Sequence, residues 1–447
     1  STPYPDTEEG FADLARMTVV TDSYGNQTKI TYDANGNPTS MIDPEGRTVS
    51  LEYDALNRQT GMTSSDGEMN NFALDAKGQP LIITGPDGQT IERSYDAVGR
   101  LVSTTDSLGQ TTSYTYDELG SRLSQTDANG HTTSWEYDDA GRIIQRTLPL
   151  GMSEYFTYDI NGTMLSQTDF LGRTMTFTYD ALGRMASKDY PDGSSVSYAY
   201  RTDGQLESVT DAGGTTARQY DDRGRIAEVT NPDGTGIAYA YDAHGNRTSV
   251  TVASGTTHYG YDAQNRLQTV TAPDGGVTSY EYDTGDVAMT VRYPNGTVAT
   301  WAFDDSQRLD AITHLGPDAA TMASYTYNYD DDGKETTVVE ADGRAVTYTY
   351  DDLHRLIRED IDDPALGQQT ISYTYDPVGN RLSKTDADGT TNYTYDANDR
   401  LVLQEGPQDT VTSTYDDNGN LVAKTDGATS STYTYDFDDR LVGMVTA

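Results

Sequence analysis

Residues 95–101 read Tyr-Asp-Ala-Val-Gly-Arg-Leu, and this phrase returns along the whole 447-residue chain. Its general form is Tyr-Asp-x-x-Gly-Arg/Asn, and successive copies are about 20 to 26 residues apart. Phe11, Leu74 and Phe303 replace the Tyr in three degenerate copies. The total is about 21 units with almost no sequence between them, which predicts one continuous array without a separate catalytic domain.

The segment Asp106–Thr126 shows what one unit encodes. Residues 106–109 and 117–120 are Asp-x-x-Gly turns, in which Asp bonds to nearby backbone and Gly accepts a positive φ angle. Residues 111–116 are β-branched and aromatic, as strands are, and residues 122–126 form the second strand. Each unit is therefore predicted to be one β-hairpin, and the fold class is all-β, a continuous antiparallel array of hairpins.

Two kinds of turn must lie at opposite edges of such a sheet, because each unit has two strands. We call the edge formed by the Tyr-Asp turns the first edge and the opposite one the second edge. The insertions Leu315–Met322 and Asp362–Gln368 both fall at the second edge, whereas the Tyr-Asp turns keep their length. This predicts that variable, partner-facing loops lie at the second edge.

The motif Tyr and the residue two before it should lie on the same face of a strand. That earlier residue is aromatic in most units: Tyr114, Trp135, Phe156, Phe177, Tyr198, Tyr239, Tyr259, Tyr280, Trp301, Tyr327, Tyr348, Tyr373, Tyr393 and Tyr433. We therefore expect two aromatic ladders on one face and Thr and Ser on the other. Their simplest role is a thin core, since cross-strand aromatic pairs contribute about 0.2–1 kcal/mol each.

A longer rhythm appears five residues after the Tyr. Every second unit has Arg there: Arg16, Arg58, Arg100, Arg142, Arg184, Arg225, Arg266, Arg308, Arg355, Arg400 and Arg440. The intervening units have Asn37, Gln79, Ser121, Thr163, Gln205, Asn246, Val287, Lys334, Asn380 and Asn420. The repeating unit is therefore a pair of hairpins of about 42 residues. We expect each Arg to reach a carboxylate or an aromatic face of the next hairpin, since guanidinium groups favour both.

The residues predicted to build this framework fall into one set. It comprises Tyr95, Asp96, Gly99, Arg100, Tyr116, Asp117, Gly120, Tyr137, Asp138, Arg142, Tyr179, Asp180, Arg184, Arg225 and Arg266. Their predicted role is structural, as a ladder of turns and side chains, with ligand binding as the alternative.

Composition narrows the classes of partner. Hydrophobic residues make up only 34% of the chain, which fits a thin core. The net charge of −41 disfavours nucleic acid and anionic membrane surfaces, and no apolar run approaches the length of a membrane span. Because the chain has no cysteine, disulfides and thiolate chemistry are excluded.

The sequence contains no motif for nucleophilic catalysis, phosphate binding or zinc, and we predict neither an enzyme nor a cofactor. The histidines lie in different units without the spacing of metal ligands: His131, His244, His258, His314 and His354. Two Asp-rich turns resemble pieces of calcium loops, one with Asp330 and Asp332 and the other with Asp386 and Asp388. Neither completes an EF-hand, so turn formation is the simpler interpretation and calcium the alternative.

The phrases at Tyr95–Leu101, Tyr179–Arg184 and Tyr375–Leu382 are the signature of YD repeats. The chain resembles the rearrangement-hot-spot (Rhs) family, together with insecticidal Tc toxin shells, wall-associated toxins and animal teneurins. In that family the repeats coil into a large spiralling β-sheet, often closed as a hollow cocoon around a toxic C-terminal polypeptide. The resemblance implies the same architecture here.

The resemblance stops at the core motif of toxin-releasing members, Asp-Pro-x-Gly-Leu. Asp43–Gly46 continues to Arg47, and Asp376–Gly379 continues to Asn380, so both are interpreted as ordinary repeat turns. Coiling is also expected on physical grounds, because about 42 strands at roughly 4.8 Å would form a ribbon near 200 Å wide. Strand twist prevents a flat sheet of that width, so it must form a tube, a shell wall or a solenoid.

Two functions remain open. The first is a non-enzymatic bacterial scaffold, secreted or at the cell surface, whose coiled sheet encloses or displays a toxin cargo. The second is a self-associating filament or adhesin, with a glycan-binding surface as a minor third. The expected partners are neighbouring repeats or other copies, an encapsulated toxin polypeptide, or cell-surface glycans and receptors. Nucleic acid and direct membrane insertion are not expected. The start without Met and the stop within a unit at Ala447 predict a fragment of a longer chain.

Overall fold

The computed structural model describes residues 16–21, 27–44, 46–64, 69–283, 288–304, 306–330 and 332–447. Phe11, Val287 and Asp331 lie outside these residues, as does the side chain of Arg16. The described chain consists of strands and turns, and its 41 strands belong to one sheet. The predicted all-β array of antiparallel hairpins is confirmed. Within the described part there is no helix that could span a membrane.

The even-numbered strands each end at the Tyr position of a repeat. They are β2 (Gln27–Tyr32), β4 (Thr48–Tyr53), β6 (Met69–Leu74), β8 (Thr90–Tyr95), β10 (Thr111–Tyr116), β12 (Thr132–Tyr137), β14 (Ser153–Tyr158), β16 (Thr174–Tyr179), β18 (Ser195–Tyr200), β20 (Gly214–Tyr220), β22 (Gly236–Tyr241), β24 (Gly255–Tyr261), β26 (Val277–Tyr282), β28 (Val298–Phe303), β30 (Thr321–Tyr329), β32 (Ala345–Tyr350), β34 (Gly367–Tyr375), β36 (Gly389–Tyr395), β38 (Thr410–Tyr415) and β40 (Thr429–Tyr435).

The odd-numbered strands follow the Tyr-Asp turns. They are β1 (Arg16–Thr21), β3 (Pro38–Ile42), β5 (Gln59–Thr63), β7 (Pro80–Thr84), β9 (Leu101–Thr105), β11 (Arg122–Thr126), β13 (Ile143–Thr147), β15 (Met164–Thr168), β17 (Met185–Asp189), β19 (Leu206–Asp211), β21 (Ile226–Thr230), β23 (Arg247–Val252), β25 (Leu267–Thr271), β27 (Ala288–Arg292), β29 (Leu309–Leu315), β31 (Glu335–Glu340), β33 (Leu356–Asp363), β35 (Arg381–Asp386), β37 (Leu401–Glu405), β39 (Leu421–Asp426) and β41 (Leu441–Thr446).

Strands that follow one another along the chain pair antiparallel, as β8 does with β7 and β9. The register shifts by one residue just before the motif Tyr, so that Tyr95 lies opposite Leu101. This β-bulge precedes a turn in which the Asp96 amide donates to the Arg100 carbonyl at 2.9 Å. Gly99 closes the turn at a φ of 94°, a conformation that Gly adopts without steric cost.

The two faces of the sheet differ in burial, as β10 shows. Tyr114 and Tyr116 are half-buried, whereas Ser113 and Thr115 on the opposite face are exposed. Hydroxyl groups pair across strands on the exposed face, for example Thr115 with Ser124 at 2.6 Å. The aromatic face and the Thr/Ser face therefore arise from the two-residue period of the strands.

The sheet is thin. Its accessible surface is 26473 Å², against roughly 17,000 Å² for a compact monomer of the same mass. Only seven hydrophobic residues among those described are buried, and none of the large side chains among them is fully buried. The half-buried aromatic rings thus serve as the core, in place of a closed aliphatic interior.

Contacts divide the chain into two units. Unit 1 comprises residues 1–113, 328–336 and 350–355, and unit 2 comprises residues 114–327, 337–349 and 356–447. The two insertions at the second edge lie in unit 2. They lengthen strands rather than loops, since β30 and β34 each have nine residues and the turns that precede them stay short.

Candidate functional site

The Tyr-Asp turn is built around its carboxylate. Oδ1 of Asp180 accepts hydrogen bonds from the amides of Leu182 and Arg184 at 2.9 and 3.0 Å, and its Oδ2 accepts one from Arg184 Nε at 2.7 Å. The Arg184 side chain and backbone hold the pKa of Asp180 below its ordinary value. Asp117 accepts from the amides of Leu119 and Ser121 in the same way, in a turn where Ser121 holds the position of Arg184.

The ion pair between the Asp and the Arg four residues later recurs in every second turn. The pairs are Asp54–Arg58, Asp96–Arg100, Asp138–Arg142, Asp180–Arg184, Asp221–Arg225, Asp262–Arg266, Asp304–Arg308, Asp351–Arg355, Asp396–Arg400 and Asp436–Arg440. Each of these surface pairs contributes little alone, about 0–1 kcal/mol, so the ladder acts through its number and its fixed geometry.

The same Arg also reaches the next hairpin. The guanidinium of Arg184 lies 4.4 Å from the ring centre of Tyr200, and those of Arg225 and Arg266 lie over Tyr241 and Tyr282 at 4.4 and 4.5 Å. We expected a carboxylate or a ring of the next hairpin. In the structure the carboxylate belongs to the same turn as the Arg, and the ring belongs to the next hairpin.

The motif Tyr anchors the bulge. Tyr179 donates its hydroxyl hydrogen to the Met164 carbonyl at 2.8 Å, and Tyr95 and Tyr137 donate to the carbonyls of Pro80 and Arg122. In each case the carbonyl belongs to the first residue of the preceding strand. The ring therefore crosses that strand on the aromatic face and satisfies a carbonyl beside the previous turn.

Six of the ten intervening units use an amide side chain, whose length matches the next turn. Gln79 and Gln205 donate to the carbonyls of Gly99 and Gly224, both at 2.7 Å. The shorter Asn246 donates instead to the side chain of Asn265 at 3.0 Å. Asn265 takes the left-handed position that Gly holds elsewhere, with φ 63°. The same short pairing joins Asn37 to Asn57, Asn380 to Asp399, and Asn420 to Asp439.

At the second edge, prolines press against the glycines of the neighbouring turn. A Cβ atom at Gly214 would lie 2.8 Å from Pro232 Cβ, and one at Gly255 would lie 2.6 Å from Pro273 Cβ. Real Cβ contacts are longer than this. Glycine is therefore required at these positions for close approach as well as for its positive φ.

Within unit 2 the second edge meets the first edge of later repeats, and we call this line of contact the seam. The turns at 127–130, 148–151, 169–172 and 190–193 contact the Tyr-Asp turns at 376–379, 396–399, 416–419 and 436–439. The residues bonded in these four contacts are 247 or 248 apart in sequence. This part of the second edge, which we expected to face a partner, therefore contacts the chain's own first edge.

The seam contacts have the same geometry in two successive turns, and a different set of contacts forms at the last turn. Asn398 and Asn418 accept from the amides of Leu150 and Leu171 at 3.3 and 3.2 Å. At the last turn Asp438 accepts from the Tyr190 hydroxyl at 2.6 Å and pairs with Lys188. The rings of Tyr190 and Phe437 stack there with centres 5.7 Å apart. A cavity of about 380 Å³ lies beside these rings.

Unit 1 contains a cluster of charged groups that the sequence spacing did not predict. Nε2 of His354 lies 2.9 Å from Oδ2 of Asp87 and 3.8 Å from Oδ2 of Asp332. Nζ of Lys334 lies 2.6 Å from Asp332, 3.2 Å from Asp330 and 3.3 Å from Asp87. Asp87 and His354 are 267 residues apart in sequence. The cluster could therefore have been predicted only by knowing that turns about 250 residues apart contact each other.

The pKa values of two carboxyls in this cluster are shifted in opposite directions. Burial and the nearby Asp87 carboxylate raise the pKa of Asp332. Burial also opposes ionisation of Asp87, but its hydrogen bonds to Asp332, the Gln89 amide, His354 and Lys334 lower its pKa overall. Asp87 is therefore the more readily ionised of the two carboxyls.

The calcium candidates separate in the structure. Asp330 and Asp332 lie in the unit 1 cluster, whereas Asp386 ends β35 and Asp388 lies in the turn that leads to β36. Asp386 pairs with Lys384 at 2.9 Å, and the hydrogen bond from Lys384 lowers the pKa of Asp386.

Comparisons with known proteins agree with this repeat geometry. The chain matches the RHS repeat at residues 32–69, 95–132, 121–154, 137–174, 158–195, 179–216, 200–235, 220–257, 261–298, 329–365, 375–411 and 415–447. The chain belongs to the RHS repeat family. The comparison with curated proteins gives no match.

Solved structures share the fold of this RHS repeat chain. A crystal structure of TcdB2-TccC3 matches with a TM-score of 0.74 and 17% identity, over 97% of this chain and 29% of that one. A Photorhabdus luminescens Tc holotoxin pore structure, with a mutation in TccC3, matches with a TM-score of 0.64 and 16% identity, over 96% of this chain and 28% of that one. The chain thus spans less than a third of the length of the chains it matches.

Proposed function

We propose that this RHS repeat chain forms part of the wall of a non-enzymatic bacterial scaffold, secreted or displayed at the cell surface, whose coiled sheet encloses or displays a toxin polypeptide. The observation that carries the proposal is the seam of unit 2. There, second-edge turns hydrogen-bond to Tyr-Asp turns that follow about 250 residues later.

The seam supports enclosure through its spacing. From the turn at 127–130 to the turn at 376–379 the chain forms 23 strands, β12 to β34. At the usual strand spacing these amount to about 110 Å of ribbon. A ribbon whose two edges meet again within unit 2 supports a wall that curves back on itself. The large accessible surface fits such a thin wall with solvent on both faces.

The fold comparisons support the same proposal. One matched structure is that of TcdB2-TccC3, and another is a Tc holotoxin pore with a mutation in TccC3. A chain that shares their fold over nearly its whole length is suited to the same kind of assembly. The chemistry of the repeated turns agrees with this, because a carboxylate such as that of Asp180 is used in an Asx turn and an ion pair.

Electron microscopy of the native, full-length protein tests the proposal. Closed ovoid particles with density inside would support it. The enclosed polypeptide should also resist a protease that degrades the isolated cargo. Open fibres of constant diameter without internal density would contradict it and would favour a structural filament.

Self-association is a second candidate, favoured by a row of apolar side chains on the first edge of unit 2. The side chains are Leu119, Ile160 and Leu182, which are 83%, 96% and 76% exposed. Rows of this kind often mark contact surfaces. The double variant Leu119→Ser, Leu182→Ser should reduce oligomer formation in light scattering without changing the unfolding midpoint, whereas an unchanged oligomer distribution would contradict self-association through this edge.

A further inference from the structure

The charged cluster of unit 1 has the composition and spacing of a metal site. Asp87, Asp332 and His354 come from three separate turns, and one potential ligand atom of each lies within 4.8 Å of the others. The Asp332 side chain is only 5% exposed. Its Oδ1 is buried and has no hydrogen-bond partner among the described residues. A buried carboxylate oxygen without a donor is costly, and a cation bound by both oxygens of Asp332 would satisfy it.

We propose that Asp87, Asp332 and His354 form a binding site for a divalent cation of the zinc class. Two carboxylates and one imidazole are a ligand set that Zn²⁺ accepts, with a fourth position open to water. Tetrahedral ligands at the usual zinc distances lie roughly 3.3 Å from one another. The distances of 2.9 and 3.8 Å from His354 Nε2 to the two carboxylates lie on either side of that value.

The imidazole decides between classes of cation. Calcium takes oxygen ligands, six to eight of them, whereas imidazole suits zinc and its neighbours. The site therefore differs from the calcium loop that the Asp-rich sequence suggested. It includes Asp332 from that turn and replaces the missing oxygen ligands with a histidine and an aspartate from distant turns.

Lys334 is the competing cation. Its ammonium group now bridges Asp332 and Asp87, but it also lies 3.2 Å from Asp330. Asp330 and Lys334 stand four residues apart, as do the Asp and Arg of the other Tyr-Asp turns. Lys334 can therefore keep its pairing within the turn and release the other two carboxylates to a metal.

Metal binding would fasten one part of unit 1 to another. Asp87 belongs to a second-edge turn, and its partners belong to Tyr-Asp turns 247 to 267 residues later. A cation at this point would replace a hydrogen-bonded ion cluster with coordinate bonds. We therefore expect it to raise the thermal stability of unit 1.

The variants can be matched to residues already present in the chain. His354 has a φ of 61°, close to the values at Asn57 and Asn265, so His354→Asn should keep the turn. Asp87→Asn resembles the turn at Asn295, whose side chain accepts from the Thr297 amide. Asp388→Asn and His131→Asn alter an Asp-rich turn and a histidine outside the cluster and serve as controls.

The test is a Zn²⁺ titration of the full chain against a chromophoric chelator, with Co²⁺ absorption as a report of tetrahedral geometry. We expect one equivalent to bind, with affinity reduced at least about tenfold in His354→Asn and Asp87→Asn and unchanged in the controls. Lys334→Met should bind more tightly than the parent chain. Equal affinity in the parent and His354→Asn, or binding that appears only in Lys334→Met, would overturn the proposal.

Discussion

At the residue scale, the length of one side chain is matched to the conformation of the residue it meets. Gln79 and Gln205 face glycines and reach their carbonyls, whereas Asn246 faces Asn265 and stops at its side chain. The space agrees with this match, because Gln205 Nε2 lies only 2.8 Å from where a Cβ at Gly224 would be. The longer amide therefore requires Gly in the next turn.

We predict that this match can be exchanged as a pair. Asn265→Gly removes one of the two acceptors of the Asn246 amide group, and Asn246→Gln brings a longer side chain against Asn265, so each should destabilise by about 0.5–1.5 kcal/mol. The double variant should recover most of the loss, because it recreates the Gln–Gly arrangement. Urea unfolding of all four proteins gives the coupling energy, and additive losses would show that the two positions act independently.

At the element scale, the hairpins were predictable and their partners were not. The bounds of β10 and β11, Thr111–Tyr116 and Arg122–Thr126, follow from turn residues and β-branched runs, which act locally. The pairing of Asp87 with His354 depends on how many strands separate a second-edge turn from the Tyr-Asp turn that it contacts. That number comes from twist accumulated over many strands, and no local pattern records it.

The Arg ladder shows the same limit at shorter range. The alternation in sequence led us to expect each Arg to reach a carboxylate or an aromatic face of the next hairpin, and the structure places Asp180 and Tyr200 beside Arg184. Sequence could not assign the carboxylate to the same turn and the ring to the next hairpin, because both residues recur in every unit. A repeating pattern predicts which kinds of contact form, but only the structure shows which copies of the residues form them.

The glycines of the two edges give an element-scale prediction. In a Tyr-Asp turn, Gly183→Ala meets nothing within 4 Å at a φ of 77°, so it should cost only about 1–2 kcal/mol of backbone strain. At the second edge, Gly214→Ala adds a contact of 2.8 Å with Pro232 and should cost about 1–3 kcal/mol more. Adding Pro232→Gly should remove the extra loss. Equal unfolding midpoints for the two alanine variants would contradict the Pro–Gly contact.

At the scale of the whole molecule, the many Asx turns make stability depend on pH. Hydrogen bonds lower the pKa of the turn aspartates below 3.8, among them Asp54, Asp96, Asp138, Asp180 and Asp221. A lowered folded pKa gives stability that is present above the unfolded value and is lost as pH falls through the folded value. These groups therefore stabilise the protein at neutral pH, and this stabilisation is lost in acid.

We predict a steady unfolding midpoint from pH 7 to about 5 and a fall below about pH 4. The charge of −41 has the opposite effect, because acid relieves repulsion between carboxylates. Thermal unfolding in about 1 M salt, where the screening length is near 3 Å, separates the two effects. A midpoint that rises between pH 5 and 3 at this salt concentration would contradict the prediction.

The alternation of Arg with Asn or Gln also limits how such a gene can change. Deleting the hairpin between them would place two Arg turns side by side, for instance those of Arg225 and Arg266, which flank Asn246, and would leave one without its usual neighbour. Recombination between repeats should therefore be tolerated in steps of two hairpins. Even such a step, if it fell between residues 130 and 376, would shift every later seam contact to a different turn. Inherited length changes should accordingly be found outside the stretch between two turns that contact at the seam more often than within it.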